Sequence, residues 1–268
     1  MILNKEIYMS RFFIVTLLGL AASSIMAFGD ITVKTHTVVT EGGKTHEGTR
    51  YLYYRRGTMR RRDSIDSKGT SSFATIANCE TKSGFLIDPI AREYRTYKVV
   101  KFFSDAQLAD YLKEHPGNAV PVESHTVDTG ERKTFFGHPA KHFITTIKRP
   151  RSKDNGGGEE SIDGWYIDHE RPDNNCAPDY TANQLSYWLP TGLVTYPDVP
   201  QFRHTGPLPT GLAVKLIHTI KFVGSESNAA DQTFATEETV EDLVDSSVQP
   251  SLFELPSGFH ENSQLFRK

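Results

Sequence analysis

The sequence predicts an α+β protein that is mainly β. Aromatic residues, which suit the half-buried surface of a sheet, are abundant, with 16 Phe and 11 Tyr among 268 residues. The clearest periodicity, over residues 211–223, alternates apolar and polar residues with period two. Heptads rich in Ala and Leu, which are typical of a helical bundle, are absent from the sequence. We therefore expect strands to dominate, with a few helices.

The N-terminal segment, residues 1–27, has the features of a secretory signal peptide. Arg11 precedes an apolar run from Phe12 to Ala22, and small residues follow as far as Ala27. The run is shorter than the roughly 20 apolar residues that span a bilayer, so we expect no transmembrane anchor. The mature protein is therefore expected to be periplasmic or secreted.

Residues 28–268 are expected to form a single domain that opens with a β-meander. Residues 30–39 predict a strand, and residues 50–63 predict two strands joined at Gly57. Residues 84–100 predict another hairpin, because Asp88-Pro89 favours a turn and cannot continue a central ladder.

One helix is predicted clearly, over residues 104–115. Ser104 and Gln107 have the spacing of a capping box, and a proline follows the segment. Strands then resume at residues 120–127 and 133–148, separated by an Asp-Thr-Gly turn signal.

The second half of the chain mixes strands with long loops. A glycine-rich segment near residues 149–160 predicts a flexible insertion, and residues 161–168 predict a strand after it. Residues 181–189 predict a short helix, and a Pro-rich loop follows through residue 209. Residues 232–243 suit either an exposed helix or an edge strand.

The strand at residues 211–223 carries the candidate ligand-binding side chains. Its apolar residues fall on one face and could line either the core or a cavity. His218 falls on the same face, where a buried imidazole needs a hydrogen-bond partner. With one tryptophan from the preceding strand, the candidates are Leu212, Val214, Leu216, His218, Ile220, Phe222 and Trp165.

Cys79 and Cys176 are the only two cysteines, and an even number in an exported chain predicts one disulfide. Such a bridge would close a loop of roughly 97 residues and stabilise the fold by about 4 to 5 kcal/mol in the chain-entropy model. Two buried thiols, or a catalytic thiol, are the alternatives.

Arginines flank the turn at Gly57 and predict a basic patch for a phosphate, an anionic headgroup or an acidic partner. The alternative is a charged outer face that protects strand edges. The net charge of -3 gives no global signal for nucleic-acid binding. The five residues of the patch are Arg55, Arg56, Arg60, Arg61 and Arg62.

No signature of a common hydrolase, nucleotide-binding loop or zinc protease occurs in the sequence. His138 and His142 have a spacing that could serve a metal, but no further ligand motif accompanies them, so we expect no metal or other cofactor. Asp163, Asp168 and Glu170 lie near Trp165, as carboxylates lie near aromatic platforms in carbohydrate-hydrolysing sites.

Five segments carry a resemblance to a known family. They read GTRYLYYRRGTMRRRDS, GFLIDPIAREYRTY, TGERKTFFGHPAKHFITTIKR, IDGWYID and SLFELPSGF. Taken in this order, they resemble an uncharacterised exported family related to LolA/LolB-type lipoprotein carriers. The resemblance implies a strongly curved antiparallel sheet, an incomplete barrel, with helices and loops covering an apolar cavity that holds acyl chains.

The leading hypothesis is therefore an exported protein that binds a lipid or another amphiphile without catalysis. The first alternative is a structural or interaction protein of the cell envelope, whose concave side is filled by its own side chains. The second alternative is an envelope hydrolase that uses the carboxylates near Trp165.

Overall fold

The computed structural model describes residues 30–66, 68–98, 105–149, 157–169, 199–223 and 232–264. The strands of these segments form one sheet of 13 strands in the order β10-β7-β8-β9-β11-β12-β1-β2-β3-β4-β5-β6-β13. The two edge strands, β10 and β13, do not pair with each other, so the sheet is unclosed. The predicted mainly β class is confirmed.

The strands are β1 Ile31–Glu41, β2 Lys44–Arg56, β3 Met59–Ile65, β4 Ser71–Asn78, β5 Ser83–Asp88, β6 Glu93–Lys98, β7 Ala119–Phe135, β8 His138–Arg149, β9 Gly157–Ile167, β10 Val199–Thr205, β11 Leu212–Val223, β12 Gln232–Asp245 and β13 His260–Glu261. The helices are α1, Asp105–Glu114, and two short 3-10 helices, Pro116–Asn118 and Pro250–Phe253. None of the helices in the described segments is long and apolar enough to cross a membrane.

Several predicted elements lie at the positions expected from the sequence. The opening strand, the hairpin at Gly57 and the hairpin after Asp88 correspond to β1, to β2 with β3, and to β5 with β6. Gly57 has a φ of 52° at the turn, a conformation that glycine adopts at little cost. The predicted helix at residues 104–115 is α1, and the ambiguous segment 232–243 is the strand β12.

The turn predicted at residues 128–130 is wrong, because β7 continues through this segment as a bulge. Asp128 pairs with Phe143 and Arg132 pairs with Lys141, so three residues of β7 bulge out opposite one residue of β8. A two-pronged contact between Arg132 and Asp128, with 2.8 Å for both N–O distances, closes the bulge. The hairpin turn follows at Phe136 and its glycine neighbour, which both have positive φ.

The prediction of a Pro-rich loop as far as residue 209 is also wrong in part. Residues 199–205 form β10, which pairs in parallel with β7 at one edge of the sheet. The short strand β13 pairs in parallel with β6 at the other edge. All the other neighbouring strands of the sheet pair antiparallel. Prolines are tolerated in edge strands, where one row of backbone groups needs no partner.

Some predicted features lie outside the described residues. They are the signal peptide at residues 1–27, the centre of the insertion at residues 150–156, the helix at residues 181–189 and the first part of the Pro-rich loop.

The sheet is strongly curved between β10 and β11. Phe202 of β10 packs against Ile220 of β11, although β7, β8 and β9 lie between these two strands. In a flat sheet, strands four positions apart would be separated by about 19 Å. The contact therefore requires the sheet to curl around these side chains. We call the face that carries Phe202 and Ile220 the concave face.

Tyrosine rings pack closely against two glycines of the sheet. A side chain at Gly84 of β5 would overlap the backbone oxygen of Ile76 and would lie 2.9 Å from the ring of Tyr97. A side chain at Gly164 of β9 would lie 2.6 Å from the ring of Tyr166. Each tyrosine thus occupies the space that a side chain at the glycine would need, as in aromatic covering of glycine kinks in curved sheets.

The C-terminal segment covers one face of β3 to β6. Val248 and Phe253 are buried there against Ile76 and its neighbours in β4 and β5.

Replacing Gly84 with alanine should destabilise the protein by about 1–3 kcal/mol, because the new methyl group overlaps the backbone of β4. Gly117→Ala is the matched control, since a methyl group there meets no atom within 4 Å, and its effect should stay within about 0.5 kcal/mol. Urea denaturation measures both variants. Equal effects would contradict the close approach at Gly84.

Candidate functional site

Cross-strand partners identify the side chains that share the concave face, because directly opposed residues point to the same side of a sheet. One row crosses β7, β8, β9, β11, β12 and β1. It consists of Thr126, Thr145, Ile162, His218, Thr236 and Val39. The start of β1 belongs to a different surface, because Ile31 and Val33 pack in one cluster with Trp165, which lies on the opposite side of β9 from Ile162.

The half of the concave face between β10 and β11 is apolar. At one level of the strands it is filled by buried side chains, namely Val122, Ile147, Ile162 and Leu216. At the next level, Ile220 is buried while Phe202 and Phe222 beside it are half-buried. Phe222 also meets Phe234 of β12 edge to face, with ring centroids 5.6 Å apart. The three phenylalanines give this end of the face an accessible aromatic surface.

A buried hydrogen-bonded pair of polar side chains lies within this apolar half. His218 Nε2 is 2.8 Å from Glu160 Oε2, and the residues are 8% and 2% exposed. The predicted need of His218 for a hydrogen-bond partner is therefore met by Glu160. Removal of one member would leave the other buried in a low-dielectric environment without this partner. The contact is therefore important for stability.

Hydroxyl and imidazole groups form a second polar feature of the concave face. Thr126 and Thr145 share a buried hydrogen bond of 2.8 Å. Ser124 Oγ is 3.1 Å from His204 Nδ1, which joins the edge strand β10 to β7. Within the described segments, the buried Nε2 atom of His204 has no hydrogen-bond partner.

The candidate residues of β11 are buried in the predicted alternation, but they do not form one cluster. A bulge between Ala213 and Lys215 interrupts the register with β9. Leu212 and Val214 pack with Trp165 and the start of β1, whereas Leu216 belongs to the apolar cluster near Phe202. The candidate list thus contains two groups of side chains in different parts of the core.

Trp165 is enclosed by its neighbours. His142 stacks on its ring with centroids 4.6 Å apart, and Lys133 Nζ lies 4.4 Å from the ring centroid. His142 in turn contacts Asp163, with 2.7 Å between Nε2 and Oδ1, and Thr129, with 3.0 Å between Nδ1 and Oγ1. The tryptophan is 6% exposed, so it does not offer a sugar the open platform that the hydrolase hypothesis needs.

The other residues of the hydrolase and metal hypotheses are dispersed. Asp168 is exposed, and Glu170 lies outside the described residues. His138 is 3.6 Å from Asp245, whereas His142 contacts Asp163, so the two histidines have different carboxylate partners. Cys79 is in the described part of the chain and Cys176 is not, so the disulfide stays a prediction.

The arginines at the Gly57 turn do not form one patch, because antiparallel pairing divides them between the two faces. Arg55 lies opposite Ile31 and Arg60, and Arg62 lies opposite Tyr53. These three arginines therefore share the face of Ile31 in β1, which we call the arginine face. The alternative prediction of an edge-protecting surface is wrong, because β2 and β3 are interior strands.

Arg56 and Arg61 lie on the opposite face and bind the C-terminal segment. Arg56 donates a hydrogen bond to the carbonyl oxygen of Val248. Arg61 donates to the carbonyl oxygen of Leu252 and pairs with Asp63, with 2.8 Å for both N–O distances. These two arginines attach the C-terminal segment to the sheet.

Arg95 and Tyr97 of β6 belong to the arginine face and were not among the sequence candidates. Arg95 lies opposite Leu86, which lies opposite Thr75, the partner of Arg62. Burial raises the pKa of the Tyr97 phenol, and the positive charge of Arg62 lowers it by a smaller amount. Alternation within the segment EYRTY could have identified both residues, had the sheet order been known.

Replacing Glu160 with alanine should cost about 3–5 kcal/mol of stability, because it removes the carboxylate from a buried pair. Glu159→Ala, at the exposed neighbouring position, should change stability by less than about 0.5 kcal/mol. Urea denaturation of both variants, with His218→Ala and the Glu160/His218 double variant, measures the coupling. Additive effects at Glu160 and His218 would contradict the contact.

Comparison with known proteins identifies likenesses of structure only. No protein-family model matches the chain, and no curated protein matches it. Solved structures that resemble it include an uncharacterised conserved protein from Thermus thermophilus, with 6% identity over 88% of this chain and 91% of that one and a TM-score of 0.37.

Two further neighbours have named families. A LolA superfamily protein from Nitrosomonas europaea is 6% identical over 85% of this chain and 91% of its own, with a TM-score of 0.28. A DUF1329 family protein from Desulfovibrio piger is 10% identical over 85% of this chain and 91% of its own, with a TM-score of 0.30. The family that the sequence resembles is thus found among the structural neighbours, while the curved, unclosed sheet rests on this chain's own strand pairing.

Proposed function

We propose that this chain is an exported protein that binds a lipid or another amphiphile on its concave face and performs no chemistry on it. The packing of Phe202 against Ile220 carries the proposal, because it curls the sheet around an apolar face. The half-buried rings of Phe202, Phe222 and Phe234 are the groups that would contact the ligand first.

The proposed site has the composition expected of a small-molecule pocket. Such sites combine an apolar lining with a few polar groups that set orientation. Here the lining comes from Ile220 and the three phenylalanines, and Glu160 with His218 supplies the polar group next to them. Burial of each CH₂ group of a ligand contributes about 0.8 kcal/mol, so one partly enclosed acyl chain suffices for binding.

A second candidate function is that of an envelope interaction protein. The supporting observation is that Val122, Ile147 and Leu216 already fill the neighbouring level of the concave face. If the phenylalanine end were similarly closed in solution, the face would serve as a core and not as a site.

Native mass spectrometry of the detergent-free mature protein, titrated with monooleoylglycerol, distinguishes the two functions. The amphiphile proposal predicts a complex with one ligand per chain. Phe222→Ser should weaken binding about tenfold or more, since loss of a buried aromatic contact costs at least about 1.5 kcal/mol.

Ile144→Ser is the matched control. Ile144 is 36% exposed and lies opposite Asp163, on the other face of the sheet from Thr145 and Ile162. Its replacement should leave the affinity within about twofold, because it does not contribute to the concave face. Absence of any complex, or equal losses in the two variants, would overturn the proposal and favour the interaction protein.

A further inference from the structure

The arginine face carries four arginines and three tyrosines on strands β2, β3 and β6. These residues are Arg55, Arg60, Arg62, Arg95, Tyr51, Tyr53 and Tyr97. The sheet thus gathers guanidinium and phenol groups, all of which can donate hydrogen bonds, on one surface.

Two of the arginines are almost fully buried, at 2% exposed for Arg55 and 8% for Arg60. They lie directly opposite each other in β2 and β3, an arrangement of like charges that is unfavourable in a sheet. Arg60 donates hydrogen bonds to the carbonyl oxygens of Gly57 and Met59. Because these acceptors are neutral, they do not neutralise its positive charge. Arg55, Arg60 and Arg95 each engage a further group. The inference therefore rests on the density of cations on this face and does not require any arginine to be free.

Among the described residues, the cross-strand neighbours of Arg62 are uncharged, whereas Arg95 has the carboxylate of Glu93 on its side of β6. Arg62 lies between Tyr53 and Thr75, with its guanidinium carbon 5.4 Å from the ring centroid of Tyr51. Glu93 is on the same side of β6 as Arg95, and its carboxylate accepts a hydrogen bond from the Asn262 amide and is 3.3 Å from His260 Nε2. The C-terminal segment thus engages this carboxylate.

We propose that this surface, defined by Arg62, Arg95 and Tyr97 with the buried Arg55 and Arg60 on the same face, binds the phosphate group of a phosphorylated ligand. Guanidinium groups match the oxygen spacing of phosphate with paired hydrogen bonds, and a phenol adds another donor. The site goes beyond the apolar function proposed above, because it lies on other strands and needs no acyl chain.

Three probes separate the chemistry of the ligand. Glycerol 3-phosphate has the phosphate without acyl chains, dihexanoyl phosphatidic acid has both, and dihexanoylglycerol has the chains alone. Isothermal titration calorimetry at fixed ionic strength measures each probe. Binding of dihexanoyl phosphatidic acid is expected. If glycerol 3-phosphate does not bind, the phosphate belongs to a lipid; if it also binds, a free phosphate ester suffices.

Variants then locate the phosphate. Arg62→Ala and Arg95→Ala should each weaken the phosphate-bearing probes about tenfold, the loss expected for a charge-assisted hydrogen bond. Arg92→Ala is the matched control, because Arg92 is an exposed residue of the β5–β6 turn and its loss changes the net charge equally. It should leave affinity within about twofold. Thermal midpoints of all variants verify that the fold is retained.

A second measurement reports proximity without relying on affinity. Ultraviolet titration follows ionisation of the tyrosines, and bound phosphate should raise the pKa of the Tyr97 phenol, a change that Tyr97→Phe removes. The inference is overturned if neither phosphate probe binds, or if Arg92→Ala weakens binding as much as Arg62→Ala. Failure of monooleoylglycerol to bind would instead count only against the amphiphile proposal.

Discussion

The curvature of the sheet is the constraint on which the rest of this structure depends. It brings Phe202 at the β10 edge into contact with Ile220, four strands away in the sheet order. Tyrosine rings lie over Gly84 and Gly164, where a larger residue would meet them, and bulges in the β7 and β11 ladders change the course of the strands. Without this curvature, the concave face would be a flat, solvent-covered surface.

The sheet presents two chemistries on two surfaces. The concave face between β10 and β11 is largely apolar, with the Glu160–His218 pair buried among aliphatic side chains. The arginine face across β2, β3 and β6 is rich in arginine and tyrosine. The opposite face of the latter strands is covered by the C-terminal segment, which Arg56 and Arg61 bind through backbone carbonyl groups. Alternation along β2 and β3 thus places Arg56 and Arg61, which bind the C-terminal segment, on one face and the other three arginines on the arginine face.

Local patterns in the sequence predicted much of the fold. Alternation predicted the burial of β11, and the Gly57 turn predicted the β2–β3 hairpin. The same two-residue turn sets Arg56 opposite Met59, so alternation could have divided the five arginines before the structure was known. His218 was expected to need a partner, but Glu160 is 58 residues away in sequence, and its identity follows only from the strand order.

Long-range pairing accounts for what the sequence did not predict. The strand β10 is short, contains a proline and pairs in parallel with a strand about 80 residues earlier, so it has no local signal of a hairpin. The bulge at residues 129–131 includes the Thr-Gly of the predicted Asp-Thr-Gly turn, and only the continued pairing of Arg132 with Lys141 distinguishes a bulge from a turn. The carboxylates around Trp165 favoured a sugar platform, but in the structure His142 and Lys133 lie against its ring.

A double-mutant cycle at Phe202 and Ile220 tests the curvature most directly. Phe202→Ala, Ile220→Ala and the double variant are compared by urea denaturation. Side chains in contact should show a coupling energy of about 0.5 kcal/mol or more, whereas residues about 19 Å apart in a flat sheet should be additive. A measurable coupling is the result predicted here. Additivity within about 0.3 kcal/mol would contradict the curved sheet and, with it, the concave face on which the proposed function rests.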